Sequence, residues 1–203
     1  MTKRECSVSI EDAARVALRF WEFGDAVKMV AIAGAESGWR NDARGDSLSY
    51  FHNQGIYSYD AYDCEGYLSF GLWQIFQGVH YATLRSLTGS DAPCVWRNWL
   101  FNPDQNGSVA FMIWTGRKKA GLDPFTPWSV YNNGAYLNYM AQALAAVERA
   151  LPGVPPTVPP GEVAGCRSAL LTLPWLALRG LKTGLSRGGK RGRQYGPIPK
   201  EDR

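Results

Sequence analysis

Glu36 is the residue whose type and position point most directly to chemistry. It closes a run of mostly apolar residues in the segment Ala33-Gly34-Ala35-Glu36-Ser37-Gly38-Trp39. Because a carboxyl group among apolar residues is partly desolvated, we expect a raised pKa that keeps it protonated near neutral pH. A protonated carboxyl is the general acid that glycosidic cleavage requires, since the leaving oxygen must take up a proton. The alternative is a glutamate that points into solvent where a helix ends.

Three short motifs follow one another along the chain. They are Glu-Ser-Gly at 36–38, Gly-Leu-Trp-Gln-Ile at 71–75 and Tyr-Asn-Asn-Gly at 131–134. In this order they resemble the motifs of the soluble lytic transglycosylase and goose-type lysozyme superfamily, particularly the lysozyme-like domains of phage virion proteins. The resemblance covers about residues 10–150 and implies a mainly α, lysozyme-like (α+β) fold with a helical catalytic domain and a small loop or β region. It also implies an enzyme that cleaves peptidoglycan between N-acetylmuramic acid and N-acetylglucosamine.

The resemblance implies roles for individual residues around the catalytic glutamate, which would act first as an acid and then as a base. Ser37 would bind substrate or steady the glutamate carboxylate. Gln74 would line the groove and bind sugar, and Gly71 would let the glycan approach the backbone. Tyr131 would approach the glutamate, and Asn132 would help to bind an N-acetyl group. Several of these residues also have a structural explanation, such as pairing buried backbone groups in the case of Gln74.

Asp46, in Arg44-Gly45-Asp46, is the candidate for a second catalytic carboxylate. A hydrolase needs a base or nucleophile opposite its acid. A lytic transglycosylase of the resembled family needs none, because the acetamido group and the 6-hydroxyl of the substrate complete the reaction. Two departures from the family pattern bear on this choice: residues 47–68 form an extra aromatic loop, and Phe76 stands where goose-type enzymes carry an acidic residue. The sequence slightly favours the transglycosylase outcome.

The sequence predicts no cofactor and no metal ion. The two histidines, His52 and His80, are too few and too far apart to form a metal site. Asp60, Asp63 and Glu65 lie close together, but the glycine-rich pattern of a calcium-binding loop is missing. The sequence also contains no phosphate-binding loop and no Ser/His/Asp nucleophile pattern.

Helices predicted from apolar periodicity must position these residues. The first begins at Ser9, which is expected to cap it, and ends at Gly24. The second, capped by Asp25, is apolar nearly all round to about Ser37, so we expect it to be buried. The remaining predictions are a loop at 39–69, a strand or helix at 70–76, and helices at about 78–88, 105–120 and 140–151.

Charge and proline content divide the chain. Residues 161–203 carry nine Lys/Arg against three Asp/Glu, a net charge of +6. The Pro-rich segment 152–161 is predicted to be a semi-rigid linker between a catalytic domain at 1–151 and a basic docking tail at 162–203. The basic residues of the tail are expected to bind acidic groups of other virion proteins, and nucleic acid is a further possible partner. Its apolar residues are expected to pack on a virion protein: Leu170, Leu171, Leu173, Trp175 and Leu176.

Cysteine usage and the N-terminus bear on the compartment. Cys6, Cys64, Cys94 and Cys166 show no CxxC spacing, so zinc binding is not expected. We expect reduced thiols, with a bridge between Cys64 and Cys94 as the open alternative. No signal peptide is visible, and the apolar stretch 169–178 is too short to cross a bilayer. These features predict a virion protein, made in the host cytoplasm, that acts on the host cell wall.

Three functions are compatible with the sequence. The first is a muralytic lysozyme or lytic transglycosylase, carried in a phage particle and used at entry. The second is a chitinase-like glycosidase with the same core. The third is a non-enzymatic virion structural protein that keeps a lysozyme-like fold and only docks on partners. We favour the first, because a docking protein has no chemical reason to keep an acid at Glu36 followed by Ser37.

Overall fold

The computed structural model describes residues 9–151, which are mainly helical with one small antiparallel sheet. The α-helices are α1 (Ile10–Phe20), α2 (Phe23–Ser37), α3 (Leu48–His52), α4 (Gln77–Thr88), α5 (Pro93–Leu100), α6 (Pro103–Lys119), α7 (Ser129–Asn132) and α8 (Met140–Ala150). The strands are β1 (Arg44–Ser47), β2 (Tyr67–Phe70) and β3 (Ile75–Phe76), and two 3-10 helices cover Asp60–Tyr62 and Ala135–Tyr139. The prediction of a mainly α fold is confirmed. The predicted linker at 152–161 and docking tail at 162–203 lie outside the described residues.

The first helix begins where the sequence predicts. The Ser9 hydroxyl accepts a hydrogen bond from the backbone N–H of Asp12, and the Asp12 carboxylate accepts one from the backbone N–H of Ser9. This reciprocal capping box satisfies two N–H groups, one of which the helix cannot pair internally. The helix ends before the predicted Gly24, because Trp21 adopts extended backbone. Its buried ring packs against Trp73, with the ring centroids 5.6 Å apart.

The second helix starts earlier than predicted. Its N-cap is Glu22 rather than Asp25, and Gly24 lies inside its first turn. Asp25 therefore places a favourable negative charge near the helix N-terminus instead of capping it. The helix is buried along most of its length, as expected, and ends before Gly38, whose φ of 61° is left-handed. Glycine adopts this conformation without steric cost, so the end of the helix that carries Glu36 is well defined.

The segment predicted as a loop at 39–69 contains β1, α3 and most of β2, so that prediction is wrong there. β1 pairs antiparallel with β2, and β2 pairs antiparallel with β3. In this register Gly45 lies opposite Ser69. The pairing joins residues that are distant in sequence, and the Arg-Gly-Asp-Ser sequence of β1 has little intrinsic strand preference. The strand-or-helix segment 70–76 consists of the end of β2, a turn and β3.

Trp73 lies at the centre of the core and has no exposed surface. Its indole N–H donates to the backbone oxygen of Met29 at 2.9 Å. Its own backbone oxygen accepts from the Trp128 indole at 3.0 Å, and its backbone N–H donates to Oδ1 of the buried Asn106 at 2.9 Å. These bonds tie the turn after β2 to α2, α6 and the start of α7. The elements that carry the three sequence motifs are therefore joined through one buried residue.

The later helices largely follow the sequence. α4, α6 and α8 confirm the helices predicted at about 78–88, 105–120 and 140–151, with ends that differ by one or two residues. The sequence does not predict α5, a short helix with proline in its first turn. Among the helices of residues 9–151, none is long and apolar enough to cross a membrane.

A disulfide bond joins Cys64, just before β2, to Cys94 in the first turn of α5. The expectation of reduced thiols is therefore wrong for this pair, and the alternative bridge is the one that the structure contains. The two Cα atoms lie 5.0 Å apart, a separation that the fold creates and that cysteine spacing alone does not reveal. Cys6 and Cys166 lie outside the described residues.

Candidate active site

Glu36 lies in the last turn of α2, where the helix emerges from the core. Its side chain is half-buried, and this burial is the largest cause of a pKa raised to about 7. The negative charge of Asp46 raises the pKa further, whereas a hydrogen bond from the backbone of Val130 lowers it. Burial disfavours the charged form of a carboxyl, and a nearby like charge disfavours it again. Glu36 therefore keeps a proton close to neutral pH.

Asp46 lies in β1, close enough to Glu36 for their charges to interact. Its φ of 51° is left-handed, a conformation that aspartate adopts more readily than most residues. The side chain is exposed, and its Oδ2 atom accepts a hydrogen bond from the hydroxyl of Ser69 in β2. The fold thus brings together the two carboxylates that the sequence selects as catalytic, and it holds the second by a buried serine.

Ser69 is an important residue of the site, and the sequence does not predict it. It is fully buried in β2, between Leu68 and Phe70, which are equally buried. A hydroxyl in such a place needs a hydrogen-bond partner, because burying it unpaired is costly. One lone serine in the run Tyr67-Leu68-Ser69-Phe70 is the only signal in the sequence, and it does not identify the partner.

Gln74 supports the β1 strand that carries Asp46. Its φ of 46° is left-handed, and its amide nitrogen donates to the backbone oxygens of Ala43 at 3.2 Å and Gly71 at 2.9 Å. Its Oε1 atom lies so close to Gly45 that a Cβ atom built there would be 2.2 Å away. Both amide protons are used within the protein. This geometry favours the structural explanation for Gln74, and its predicted sugar contact has no free donor.

Gly71 and Ser37 also have internal reasons for their identity. Gly71 is buried with a φ of 82°, and a Cβ atom there would lie 2.2 Å from Nδ2 of Asn106 and 2.6 Å from the backbone oxygen of Leu100. Close packing of the protein itself, rather than approach of a glycan, therefore requires glycine at this position. The buried Ser37 hydroxyl donates to the backbone oxygen of Ala33 at 2.8 Å. It is directed to its own helix and forms no hydrogen bond with the Glu36 carboxylate.

Tyr131 and Asn132 lie in α7, next to Val130. The Tyr131 hydroxyl donates to Oδ2 of Asp123 at 3.0 Å, and this hydrogen bond raises the pKa of the phenol. The resemblance implies that Tyr131 approaches Glu36, but its hydroxyl donates to Asp123 and forms no hydrogen bond with Glu36. Asn132 is exposed, and its amide nitrogen donates to the backbone oxygen of Thr126 at 2.9 Å. The amide oxygen of Asn132 stays available to an N–H donor such as an acetamido group.

The extra aromatic loop at 47–68 packs against the sheet. The rings of Tyr59 and Phe76 meet edge to face, with centroids 4.9 Å apart. At its far end the loop is tied by the carboxylate of Glu65, which pairs with Arg44 and Arg97 at 2.6 Å each. Two rings of the loop, Tyr50 and Tyr57, remain 59 and 61% exposed. Large exposed rings held on a fastened loop are suited to stacking on flat apolar faces such as those of sugars.

The described residues contain no group of three or more His, Cys, Asp or Glu side chains arranged to hold a metal ion. The carboxylate of Asp60, a cation ligand in principle from the sequence, instead accepts a hydrogen bond from His52, with 2.7 Å between Oδ1 and Nε2. Independently of this, the raised pKa of Glu36 beside Asp46 suits the two carboxyl groups to acid–base chemistry.

The chain matches no protein-family model, and no curated protein or solved structure shows significant similarity to it.

Proposed function

We propose that this protein is a glycosidase that cleaves the β-1,4 bond between N-acetylmuramic acid and N-acetylglucosamine in bacterial peptidoglycan. The observation that carries the proposal is the half-buried Glu36, whose pKa is raised to about 7 by desolvation and by the charge of Asp46. Two carboxyl groups in different environments, one protonated and one ionised, are the arrangement that glycosidases use. A buried helix beside a small antiparallel sheet also fits the lysozyme-like architecture that the sequence motifs imply.

In the proposed reaction, Glu36 donates its proton to the oxygen that links the two sugars, while the bond from that oxygen to C1 of the muramic acid breaks. Positive charge develops at C1 and the ring oxygen, as in the oxocarbenium-like transition state of glycosidases. The carboxylate of Asp46, whose charge acts on Glu36, would stabilise this charge. A water molecule then adds to C1 and gives up a proton to the Glu36 carboxylate, which restores the acid.

Asp46 favours hydrolysis over the transglycosylase outcome that the sequence slightly favours. A transglycosylase uses the 6-hydroxyl of its substrate as nucleophile, so it needs no second carboxylate. Here a second carboxylate is held by the buried Ser69 and interacts electrostatically with Glu36. A strand conformation with positive φ at Asp46 is unfavourable unless the surrounding structure enforces it. A fold that maintains such a residue next to the acid supports its direct participation.

Two features support an N-acetylated glycan as the substrate. The exposed amide oxygen of Asn132 has no hydrogen-bond donor among the described residues. It lies on α7, next to Val130, whose backbone hydrogen-bonds to Glu36. The exposed rings of Tyr50, in α3, and Tyr57, which follows that helix, can stack on sugar faces.

The test is digestion of purified peptidoglycan and, in parallel, chitin by the full-length protein, followed by mass spectrometry of the released fragments. We expect muropeptides with reducing N-acetylmuramic acid ends. Fragments with 1,6-anhydro ends would instead indicate a transglycosylase and overturn the role of Asp46. Release of fragments from chitin but not from peptidoglycan would indicate a chitinase, and no release from either polymer would leave only a docking function.

We also propose that the protein acts as part of a phage particle that breaches the host wall at entry. The basic segment at 161–203, with its net charge of +6, supports attachment to acidic groups of a partner. Detection of the protein in purified particles, and loss of that incorporation when the chain is cut after Leu151, tests this setting. Incorporation that does not depend on residues 152–203 would contradict the docking role of the tail.

A further inference from the structure

A groove of about 630 Å³ lies between α4 and α6 and is separate from the two carboxylates. Its volume is in the range of sites that bind small molecules. Its apolar lining includes Val79 and Met112, which are 62 and 45% exposed. The segment Thr126–Pro127 forms part of its wall. The proposed mechanism does not use this groove.

Arg117 is the one permanently charged side chain among the residues that line the groove. Its Nη2 atom donates to the hydroxyl of Thr126 at 2.6 Å, and its Nε atom is buried without a hydrogen-bond partner. Within residues 9–151 it forms no ion pair. A half-buried guanidinium with an unused N–H is poorly satisfied by the protein alone. The buried Nε atom is out of reach of a ligand, but Nη1 forms no hydrogen bond within the described residues, so an anionic ligand with planar oxygens in the groove can accept from it.

The remaining groove residues leave the positive charge of Arg117 unopposed. Among residues 9–151, those that line the groove include no Asp or Glu. His80 also lines the groove, and burial lowers the pKa of its imidazole, so it adds no positive charge near neutral pH. The groove thus combines apolar walls with a single cation. Such a surface is complementary to a small carboxylate ligand that carries methyl groups.

A short segment of the chain connects the wall of the groove to the backbone beside Glu36. Pro127 lines the groove, and three residues later the backbone of Val130 hydrogen-bonds to Glu36. Three residues span at most about 11 Å even when fully extended. Asn132 also connects the two places, since its side chain donates to the backbone oxygen of Thr126. One wall of the groove therefore lies within about 11 Å of the backbone beside the acid.

We propose that this groove binds the stem peptide of peptidoglycan, with Arg117 pairing a peptide carboxylate. This inference rests on the proposed function and narrows its substrate. Each muramic acid carries a short peptide of small residues and free carboxylates on its lactyl group. Exposed apolar side chains such as Met112 would cover the alanine methyl groups. Chitin has neither peptide nor carboxylate, so it would leave both the charge and the apolar walls of the groove unused.

The experiment compares soluble glycan strands that retain their stem peptides with strands from which an amidase has removed them. Binding is measured with the full-length Glu36→Gln protein, so that cleavage does not disturb the titration. We expect peptide-bearing strands to bind roughly tenfold more tightly, the size of one charge-assisted pair. Adding Arg117→Gln should abolish that difference, and adding Arg117→Lys should retain part of it because the charge remains.

Lys119→Gln is the matched control, because it removes one positive charge from the same helix at an exposed position that does not line the groove. It should preserve the full preference for peptide-bearing strands. Equal binding of the two kinds of strand by the Glu36→Gln protein would overturn the inference, as would an equal loss of preference in the Arg117 and Lys119 variants. If wild-type protein cleaved neither kind of strand, the proposed function would fail instead. The binding result would still stand as a separate outcome.

Discussion

The hydroxyl of Ser69 donates a hydrogen bond to Oδ2 of Asp46, joining a fully buried side chain of β2 to an exposed carboxylate of β1. The antiparallel register places Gly45, the residue before Asp46, directly opposite this serine. A hydrogen bond to an ionised carboxylate is stronger than one between neutral groups. Ser69 therefore holds in place the charge that helps to raise the pKa of Glu36.

Ser69→Ala should lower kcat on peptidoglycan strands roughly tenfold and leave KM nearly unchanged. The reason is that the lost hydrogen bond orients a carboxylate needed in the transition state, and bonds to charged groups contribute about 1.5–3 kcal/mol. The measurement is steady-state release of reducing ends. Ser86→Ala, at an exposed position of α4, is the control and should keep the wild-type rate. An unchanged kcat in Ser69→Ala would show that Asp46 needs no such orientation.

Glu36→Gln should reduce cleavage by about 10²–10⁴-fold, the usual contribution of general acid catalysis. Glutamine has nearly the same size but cannot donate an acidic proton, so the fold should persist. The rate is measured by mass spectrometry of muropeptides, and the fold by circular dichroism. Glu148→Gln, at an exposed position of α8, serves as the control for loss of a carboxylate. Wild-type activity in Glu36→Gln would mean that another residue is the acid.

The sequence predicts the location of the acid better than its surroundings. Glu36 could be selected because desolvation at the end of an apolar helix is a local property, readable from neighbouring residues. The partner Ser69 could not, because its contact depends on the register between β1 and β2, which are distant along the chain. Cross-strand proximity and the bridge between Cys64 and Cys94 are both products of the tertiary fold.

Motif residues show the opposite difficulty. A motif states that a residue type recurs, but not whether its side chain faces a ligand or the protein interior. Gly71 and Gln74 lie in a predicted motif, yet their contacts are with Asn106, Gly45 and backbone oxygens. Their tight packing explains the residue types without a substrate. The sequence alone does not distinguish these internal constraints from a binding role.

Asp46→Asn should shift the alkaline limb of the activity profile to lower pH. In the wild-type protein Glu36 loses its proton as the pH rises through about 7, so activity falls above that value. Without the charge of Asp46, ionisation of Glu36 is less unfavourable, and its pKa moves downward. The measurement is kcat against pH, normalised to each variant's maximum so that a lower rate does not obscure the shift. An alkaline limb at the same pH in both proteins would show that the charge of Asp46 does not affect the pKa of Glu36.

Folding stability should also depend on the ionisation of Glu36. Its folded-state pKa of about 7 lies above the ordinary value of 4.5, so its contribution is fully present below pH 4.5 and is lost as the pH rises through 7. The loss amounts to at most about 3.5 kcal/mol, since each pKa unit corresponds to about 1.4 kcal/mol. Glu36→Gln should therefore be more stable than wild type at pH 8 and nearly equal to it at pH 4. Urea unfolding at both values tests this, and a pH-independent difference would refute it.

The disulfide between Cys64 and Cys94 should stabilise the catalytic domain measurably. It links residues 30 positions apart, and closing a loop of that length in the unfolded chain corresponds to about 3–4 kcal/mol. We expect the Cys64→Ser, Cys94→Ser double variant to lose stability of this order in urea unfolding. A reducing agent should destabilise the wild-type protein by a similar amount and leave the double variant unaffected, which makes the variant its own control.

Because the bridge adjoins Glu65, which pairs with Arg44 at the start of β1, its loss should also loosen the strand that carries Asp46. As the temperature rises, the double variant should then lose its activity before it unfolds. Loss of activity and of folded structure at the same temperature would show that the bridge acts on the fold alone.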